Sequence, residues 1–391
     1  DIYKPIRATV TPMVHSVSVC PLGDLRAGDE LECHTTAFVG QQQREFFVST
    51  SDIFLWVTPG WGDDACNDAN GPNPNAVQAT LYQVPLSQAA PRALFTRGKP
   101  TNQFALDSDG REFRALLDWN TVHCSQRRGP ASHELRYFHV PLSSLSTTPQ
   151  NAGRGAYVNA PSPGSDEYQP RFTERYLVYG ARPGWSSFPP ENGAPQSGRV
   201  VAIPLSRPLS PTVIDAPHGV LRIDRAGANI VLTGYRTDAG LSVSLLDLRA
   251  RPTLASTQLL QGRYESENRS QAFNSLVGAD GAGIMGLPTV RRVKEAGRWV
   301  FRSRASDVSF LSVAANGRLN EAGELTANER AQDPSYQCEV SCIDWYGNTR
   351  AIFTGGRVFA LSGTELIEGG LSGGRIVEMR RLNLSAPPPQ S

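Results

Sequence analysis

The densest group of potential ligand side chains lies in the segment 62–75, which reads GDDACNDANGPNPN. Carboxylate and amide oxygens are the ligands that Ca²⁺ takes in proteins. The segment lacks the alternating donors and the final glutamate of an EF-hand loop, and Asp and Asn also cap turns without any metal. We therefore interpret it as a solvated loop and expect no cofactor. The alternative is a Ca²⁺ site built from Asp63, Asp64, Asp68 and Asn70.

Other recognisable catalytic motifs are absent from the sequence. The six histidines are scattered and form no HExxH pair, and there is no GxSxG elbow, P-loop or dinucleotide fingerprint followed by a helix. The segment 107–110 with Glu112 has the D-x-D-G form of a hairpin turn, and the glycine-rich segment 276–286 is interpreted as a second turn. We name no catalytic residue and no metal ligand beyond the Ca²⁺ alternative.

Six cysteines are spaced as three pairs along the chain. Six cysteines allow fifteen pairings; we favour pairing across a local turn for the first and the third pair, which leaves the second pair. Zinc binding is the alternative, although the chain has no CxxC motif. Disulfides would indicate an oxidising compartment. The favoured pairs are Cys20 with Cys33, Cys66 with Cys124, and Cys338 with Cys342.

Four aromatic residues stand in polar or proline-rich segments rather than in strand-like runs. Tryptophan is a typical anchor of protein interfaces and of sugar contacts. Each aromatic side chain could instead fold back over the end of a sheet and cover the core. Taken together they form our predicted contact surface, which consists of Trp61, Trp185, Phe188 and Trp345.

The composition limits the partners that the chain can have. Its 391 residues carry a net charge of +1, so no strong positive field exists to attract nucleic acid. No run of 18 apolar residues occurs, which excludes a transmembrane helix. The chain begins at Asp1 without a methionine, which fits removal of a signal peptide or of another upstream segment, or a sequence that starts after the natural N-terminus. We expect a secreted, periplasmic or cell-surface protein.

The elements that must position these residues are short strands. Runs such as DIFLWV (52–57) and RYLVYGA (175–181) are apolar or β-branched and are bounded by turn residues, and no long amphipathic helix is apparent. The 36 glycines and 29 prolines fit the many turns between them. At four strands a blade, the runs predict an all-β fold with a single β-propeller of seven blades, six or eight being the alternatives. Polar loop inserts are expected at 59–76, 146–170, 183–197 and 320–335.

Several segments carry a resemblance to a known family. FVSTSDIFLWVT (47–58), KPTNQFALDSDGREFRALLDWN (99–120), RFTERYLVYGARPGW (171–185) and TRAIFTGGRVFALS (349–362) resemble units of secreted bacterial and archaeal proteins with a C-terminal β-propeller distantly related to WD repeats. The resemblance implies a propeller and an extracytoplasmic location, and no reaction. The chain departs from the family's histidine-containing turns at 268–271 and at Pro217-His218-Gly219.

These observations predict one propeller domain over residues 1–385 and a proline-rich tail over 386–391. Our functional hypothesis is a protein-binding or scaffolding subunit of a cell-envelope or secreted assembly, with other protein subunits as partners and carbohydrate as a further ligand class. The alternative is a propeller enzyme that uses the central channel, either a hydrolase or lyase acting on sugar or a metal-dependent oxidase.

Overall fold

The structure is a computed structural model, and it describes most of residues 2–384. The side chains of 292–295 and 298–301 are outside the description. The other residues outside it are 1, 5, 7, 8, 10, 11, 22–29, 31, 60–77, 120–133, 165–166, 183–194, 267–271, 296–297, 302–306, 328–348, 364 and 385–391.

The described residues form an all-β fold, which confirms the predicted class. Contacts within the chain divide it into two compact units, of which unit 1 contains Asp1–Ser162 and Pro204–Pro211, and unit 2 contains Pro163–Ile203 and Thr212–Ser391. The described helices are single turns of 3₁₀ helix at Gln103–Ala105, Leu142–Ser144 and Arg154–Ala156. None of the helices in the described part of the chain is long and apolar enough to cross a membrane.

Unit 1 contains three sheets. In the first, β1 and β2 flank β3, with β1 and β3 parallel. The second is an antiparallel meander of β4 to β7, and in the third β10 pairs with β11, which pairs with the edge strand β12, while β8 and β9 both pair with β10. The strands are β1 (Ile2–Tyr3), β2 (Met13–Val19), β3 (His34–Gly40), β4 (Gln43–Val48), β5 (Asp52–Thr58), β6 (Gln78–Pro85), β7 (Arg92–Arg97), β8 (Lys99–Pro100), β9 (Leu106–Ser108), β10 (Glu112–Asp118), β11 (Leu135–Pro141) and β12 (Tyr157–Ala160).

Unit 2 contains four antiparallel sheets in chain order. They are formed by β13 to β16, by β17 to β20, by β21 to β26 around the long strand β23, and by β27 to β30. The strands are β13 (Glu167–Phe172), β14 (Tyr176–Arg182), β15 (Gly198–Pro204), β16 (Thr212–Ala216), β17 (Arg222–Ala226), β18 (Asn229–Tyr235), β19 (Gly240–Asp247), β20 (Thr253–Gln261), β21 (Arg263–Glu265), β22 (Asn274–Val277), β23 (Gly283–Glu295), β24 (Arg298–Phe301), β25 (Asp307–Val313), β26 (Leu319–Leu325), β27 (Arg350–Thr354), β28 (Arg357–Ser362), β29 (Glu365–Ser372) and β30 (Arg375–Asn383).

The sheets of unit 2 stack on one another in the order of the chain. The strands on the first edge of each sheet meet, because β13 contacts β17, β17 contacts β22, and β22 contacts β27. In the third sheet that edge consists of β21 and β22, which both pair with β23 on the side opposite β25. The last strands of the sheets meet as well, since β16 contacts β20, β20 contacts β26, and β26 contacts β30. Each sheet thus packs against the next at both of its edges, which is how neighbouring blades pack in a propeller.

Burial on both faces explains why the central strands read as continuous apolar runs rather than as alternating ones. All seven residues of β18 (Asn229–Tyr235) are buried, because the sheets on either side cover both of its faces. In unit 1, Trp56 and Phe54 of β5 are fully buried and pack against Phe113 of β10 and, for Trp56, Phe138 of β11. These contacts join the second and third sheets of the unit.

Two of the expected loop inserts contain strands, so that part of the prediction was wrong. The segment 146–170 holds β12 and the first part of β13, and the segment 320–335 begins inside β26. These strands read YVNA, EYQPRF and LNEAGEL; the first and third have exposed polar residues, the second contains a proline and the third a glycine. Strands next to a sheet edge tolerate such residues, which obscures them in the sequence.

Candidate functional site

Most of the sequence-predicted site residues lie outside the described residues. This applies to the four aromatic candidates, to the Ca²⁺ alternative and to two of the three cysteine pairs. Their predicted roles stay predictions. The residues are Trp61, Trp185, Phe188, Trp345, Asp63, Asp64, Asp68, Asn70, Cys66, Cys124, Cys338 and Cys342.

The disulfide predicted between Cys20 and Cys33 is present, with a sequence separation of 13 residues. It joins the end of β2 to the start of β3, which pair along their whole length from Met13 opposite Gly40 to Val19 opposite His34. The cross-link therefore lies at the end of the hairpin where the chain connects the two strands, beside the pair Val19 and His34.

The D-x-D-G segment is a turn, as predicted, and it also surrounds a guanidinium. Asp109 accepts hydrogen bonds from the backbone N–H groups of Arg111 and Glu112, while Arg114 pairs with Asp107, Asp109 and Glu112. Partial burial opposes ionisation, but these donors lower the pKa of Asp109 to about 2. The carboxylates are bound within the turn, so the cluster has a structural role.

His218 closes a hydrogen-bond chain inside unit 2. Its Nε2 lies 2.7 Å from Oγ of Ser244 in β19, and that hydroxyl lies 2.8 Å from Oγ1 of Thr257 in β20. Burial lowers the pKa of His218, so the neutral imidazole is the stable form. The adjoining Gly219 approaches the backbone of Gly234 so closely that a Cβ at 234 would lie 1.7 Å from the Gly219 carbonyl oxygen. His218 thus has a structural role at the close contact between the two backbone segments.

A buried ion network links the first strands of three consecutive sheets in unit 2. Arg222 of β17 donates from Nε to Glu265 of β21 at 2.5 Å and from Nη1 to Asp224 at 3.3 Å. Arg171 of β13 donates to the other oxygen of Asp224 at 3.0 Å. The side chains of Arg222 and Glu265 are each 4% exposed. A charge buried this deeply is compatible with a stable fold only when a charge of opposite sign is bonded to it.

Burial changes the acidity of the two carboxyl groups in this network. Burial raises the pKa of Glu265 and of Asp224, against the opposing attraction of Arg222 for both. One oxygen of Glu265, Oε2, is buried and makes no hydrogen bond within the described residues. Because every charge here already has a partner of opposite sign, we interpret the network as a clamp that holds β13, β17 and β21 together.

An open groove runs along the edge strand β12 in unit 1. It has a volume of about 1040 Å³, and all of its lining residues belong to that unit. One wall is β12 with the flanking Pro161, and the other is the turn 206–211, which reads SRPLSP. Leu209 in that turn is 82% exposed, the highest exposure of any large apolar side chain described. We call this cavity the β12 groove.

The β12 groove has an unused backbone edge. Trp119 donates its backbone N–H to the carbonyl oxygen of Glu134, just beyond the paired ends of β10 and β11. Backbone hydrogen bonds alternate between the two sides of a strand, so every second residue of β11 from Leu135 onward bonds to β12 instead. In β12 the residues bonded to β11 are therefore Val158 and Ala160. The N–H and C=O of Asn159 consequently point away from β11 and into the groove. Among the described residues, neither group has a backbone partner.

A smaller pocket of about 370 Å³ lies beside β4, the edge strand of the second sheet of unit 1. Gln43 and Glu45 of β4, Thr58 of β5 and Lys99 of β8 supply its polar side chains, and Trp56 lies beneath. Trp56 itself is held by a hydrogen bond from Nε1 to the carbonyl oxygen of Gly98 at 2.9 Å. We call this cavity the β4 pocket.

Metal binding finds no support in the described part of the chain. Within these residues, no group of three or more His, Cys, Asp or Glu side chains could hold a metal ion. The acidic side chains described above are committed to arginines or stand alone, as Glu45 does in the β4 pocket. The two cavities are consequently the candidate sites.

Sequence reasoning missed both cavities. One wall of the β12 groove, β12 itself, lies in the segment 146–170, which the sequence predicts to be a loop insert. The one signal available was the apolar Leu209 between two prolines, since an exposed leucine in a turn has no packing role. The β4 pocket depends on Lys99 and Glu45, which are 54 residues apart and meet only through the pairing of sheets.

Comparisons with known proteins show similarity in structure only. No protein-family model matches the chain, and no curated protein sequence does. A crystal structure of a polysaccharide lyase is similar with a TM-score of 0.41 at 10% identity, covering 88% of this chain and 81% of that one. A protein from Lactobacillus plantarum matches with a TM-score of 0.35 at 8% identity, covering 87% and 83%. A functionally unknown protein from Desulfotomaculum acetoxidans has a TM-score of 0.35 at 12% identity, covering 85% and 84%.

Proposed function

We propose that the chain forms one seven-bladed β-propeller over residues 1–385 and acts as a protein-binding or scaffolding subunit of a cell-envelope or secreted assembly. The seven sheets of the described residues support the blade number. The stacking of first edges on first edges and of last strands on last strands in unit 2 supports the propeller arrangement. An end-on electron microscopy projection is expected to show seven radial sheets, and two separate bodies would contradict it.

Location outside the cytoplasm is part of the proposal. The Cys20–Cys33 disulfide supports it, because such cross-links persist in oxidising compartments. The resemblance to secreted propeller proteins gives the same expectation.

The β12 groove is the observation that carries the binding role. One wall is a strand edge at which the backbone groups of Asn159 have no backbone partner among the described residues, and the other wall presents the exposed Leu209. An added strand satisfies the backbone groups of an edge, and pockets beside it select alternate side chains. The occupant that fits is an extended segment of a partner protein with an apolar residue opposite Leu209.

Cross-linking in the cells that make the protein tests this role. A photoreactive amino acid at position 209 should give a product with one defined partner, whose cross-linked peptide can be identified by mass spectrometry. Position 382 is the matched control, because Leu382 is also an exposed leucine (53%) but lies on a different sheet. A chain that remains monomeric and forms no product specific to position 209 would contradict the proposal.

A further inference from the structure

The β4 pocket differs from the β12 groove in having a strongly polar lining. The backbone N–H of Ser49 donates to the carbonyl oxygen of Asp52 at the turn between β4 and β5. Because backbone hydrogen bonds alternate along a strand, the residues of β4 that bond to β5 are Gln43, Glu45 and Phe47. The backbone N–H and C=O groups of Arg44 and Phe46 therefore point outward from the edge of the sheet, and both residues line the pocket.

The side chains of the pocket add both donors and acceptors. Alternation places Gln43 and Glu45 on one face of β4, and their cross-strand partners Thr58 and Trp56 lie on the same face of β5. The guanidinium of Arg44 is on the opposite face, where it approaches the sulfur of Met13 at 4.0 Å. Among the described side chains, this face of the pocket thus offers an amide, a carboxyl, a hydroxyl and the ammonium of Lys99, while Arg44 directs its guanidinium to Met13.

Glu45 and Lys99 face the pocket as separate charges. Burial raises the pKa of Glu45, and the positive charge of Lys99 opposes this effect, although the two groups form no direct ion pair. One carboxyl and one ammonium give the pocket no net charge. A phosphate or a uronate would meet only one cation beside a carboxylate, and a metal ion would meet only one acidic ligand.

We propose that the β4 pocket binds one neutral sugar ring of a carbohydrate. Each hydroxyl of a sugar both donates and accepts hydrogen bonds, which matches a lining that offers Lys99 as a donor, Glu45 as an acceptor, and Gln43 and Thr58 as both. The volume of about 370 Å³ lies within the range of small-ligand sites. This site is separate from the β12 groove, so its failure would leave the protein-binding role untouched.

A glycan array probed with the labelled full-length chain tests the proposal. The array carries neutral and uronate-containing oligosaccharides, and the strongest ligand is then titrated by calorimetry against the wild-type chain and three variants. We expect binding of neutral glycans, at least tenfold weaker affinity in Glu45→Gln and Lys99→Met, and unchanged affinity in Lys4→Met. Lys4 is the matched control because it is an exposed lysine that does not line the pocket.

Three outcomes would overturn the proposal. They are no binding to any glycan on the array, a preference for uronate-containing glycans, and neutral-glycan binding that both pocket variants retain. Lys99 is exposed, so its substitution is expected to leave folding intact, and the Lys99→Met result decides the matter even if Glu45→Gln is unstable. Circular dichroism of each variant checks that it is folded.

Discussion

Replacing Arg222 by methionine tests whether the buried ion network holds unit 2 together. Methionine keeps most of the apolar stem but removes the charge from a side chain that is 4% exposed. Asp224 keeps its hydrogen bond from Arg171, whereas Glu265 loses the only cation bonded to it among the described residues. Removing one partner of a buried pair costs about 3–5 kcal/mol, a large share of the roughly 5–15 kcal/mol by which folded proteins are stable.

The pH dependence of this loss has a definite sign. Burial already raises the pKa of Glu265 in the folded chain, and removing Arg222 raises that pKa further. The folded state then binds a proton more tightly than the unfolded state, so the free energy of unfolding increases as the pH falls through the folded-state pKa toward the unfolded value. The Arg222→Met variant should therefore be most destabilised at neutral pH and less so in acid.

Equilibrium urea denaturation followed by circular dichroism measures both effects. Arg199→Met is the matched control, because Arg199 and Asp215 form an exposed pair at 3.9 Å that should contribute less than about 1 kcal/mol. The double variant Arg222→Met with Glu265→Gln should recover part of the loss by removing the unpaired charge. A loss below about 1 kcal/mol for Arg222→Met, or a loss equal at pH 5 and pH 7.5, would refute the reasoning.

The remaining predictions concern stability. Replacing Cys20 and Cys33 by serine, which opens a 13-residue cross-link, should cost about 3 kcal/mol; an unchanged urea midpoint under non-reducing conditions would contradict this. Gly234→Ala places a Cβ 1.7 Å from a backbone carbonyl oxygen, so little folded protein should accumulate, whereas Gly153→Ala, with open space around it, should fold normally. The charged form of Asp109, with its pKa lowered to about 2, adds stability above the unfolded pKa of 3.8 that is lost as the pH falls toward 2. Asp109→Asn should therefore cost about 1 kcal/mol at pH 7 and less at pH 2, as thermal melts at both pH values would show.

The fold class was predictable because central strands have a strong local signal. DIFLWV corresponds to β5 and RYLVYGA to β14, since both are apolar runs ended by turn residues. The Cys20–Cys33 pair was also predictable from local sequence, because the two cysteines flank one turn between strand-like segments. Edge strands such as β12 escaped prediction because half of their surface faces solvent and their polar residues resemble those of a loop.

The candidate sites could not be predicted, because non-local pairing creates them. Lys99 comes near Glu45 only when β8 lies beside β4 and β5, and Arg222 meets Glu265 only when two sheets stack. Single-sequence patterns report the periodicity of one element and contain no signal for such approaches. The outward direction of the Asn159 backbone groups depends in addition on which residues of β10 and β11 are hydrogen-bonded to each other.

The most direct test of the binding role is the affinity of the identified partner for an Asn159→Pro variant. The N–H of Asn159 points away from the ladder, so proline removes no hydrogen bond of the fold but blocks the addition of a strand. We predict that Asn159→Pro keeps the wild-type melting temperature and loses partner binding at least tenfold, while Asn159→Ala binds as the wild type does. A folded Asn159→Pro variant with wild-type affinity would contradict the account.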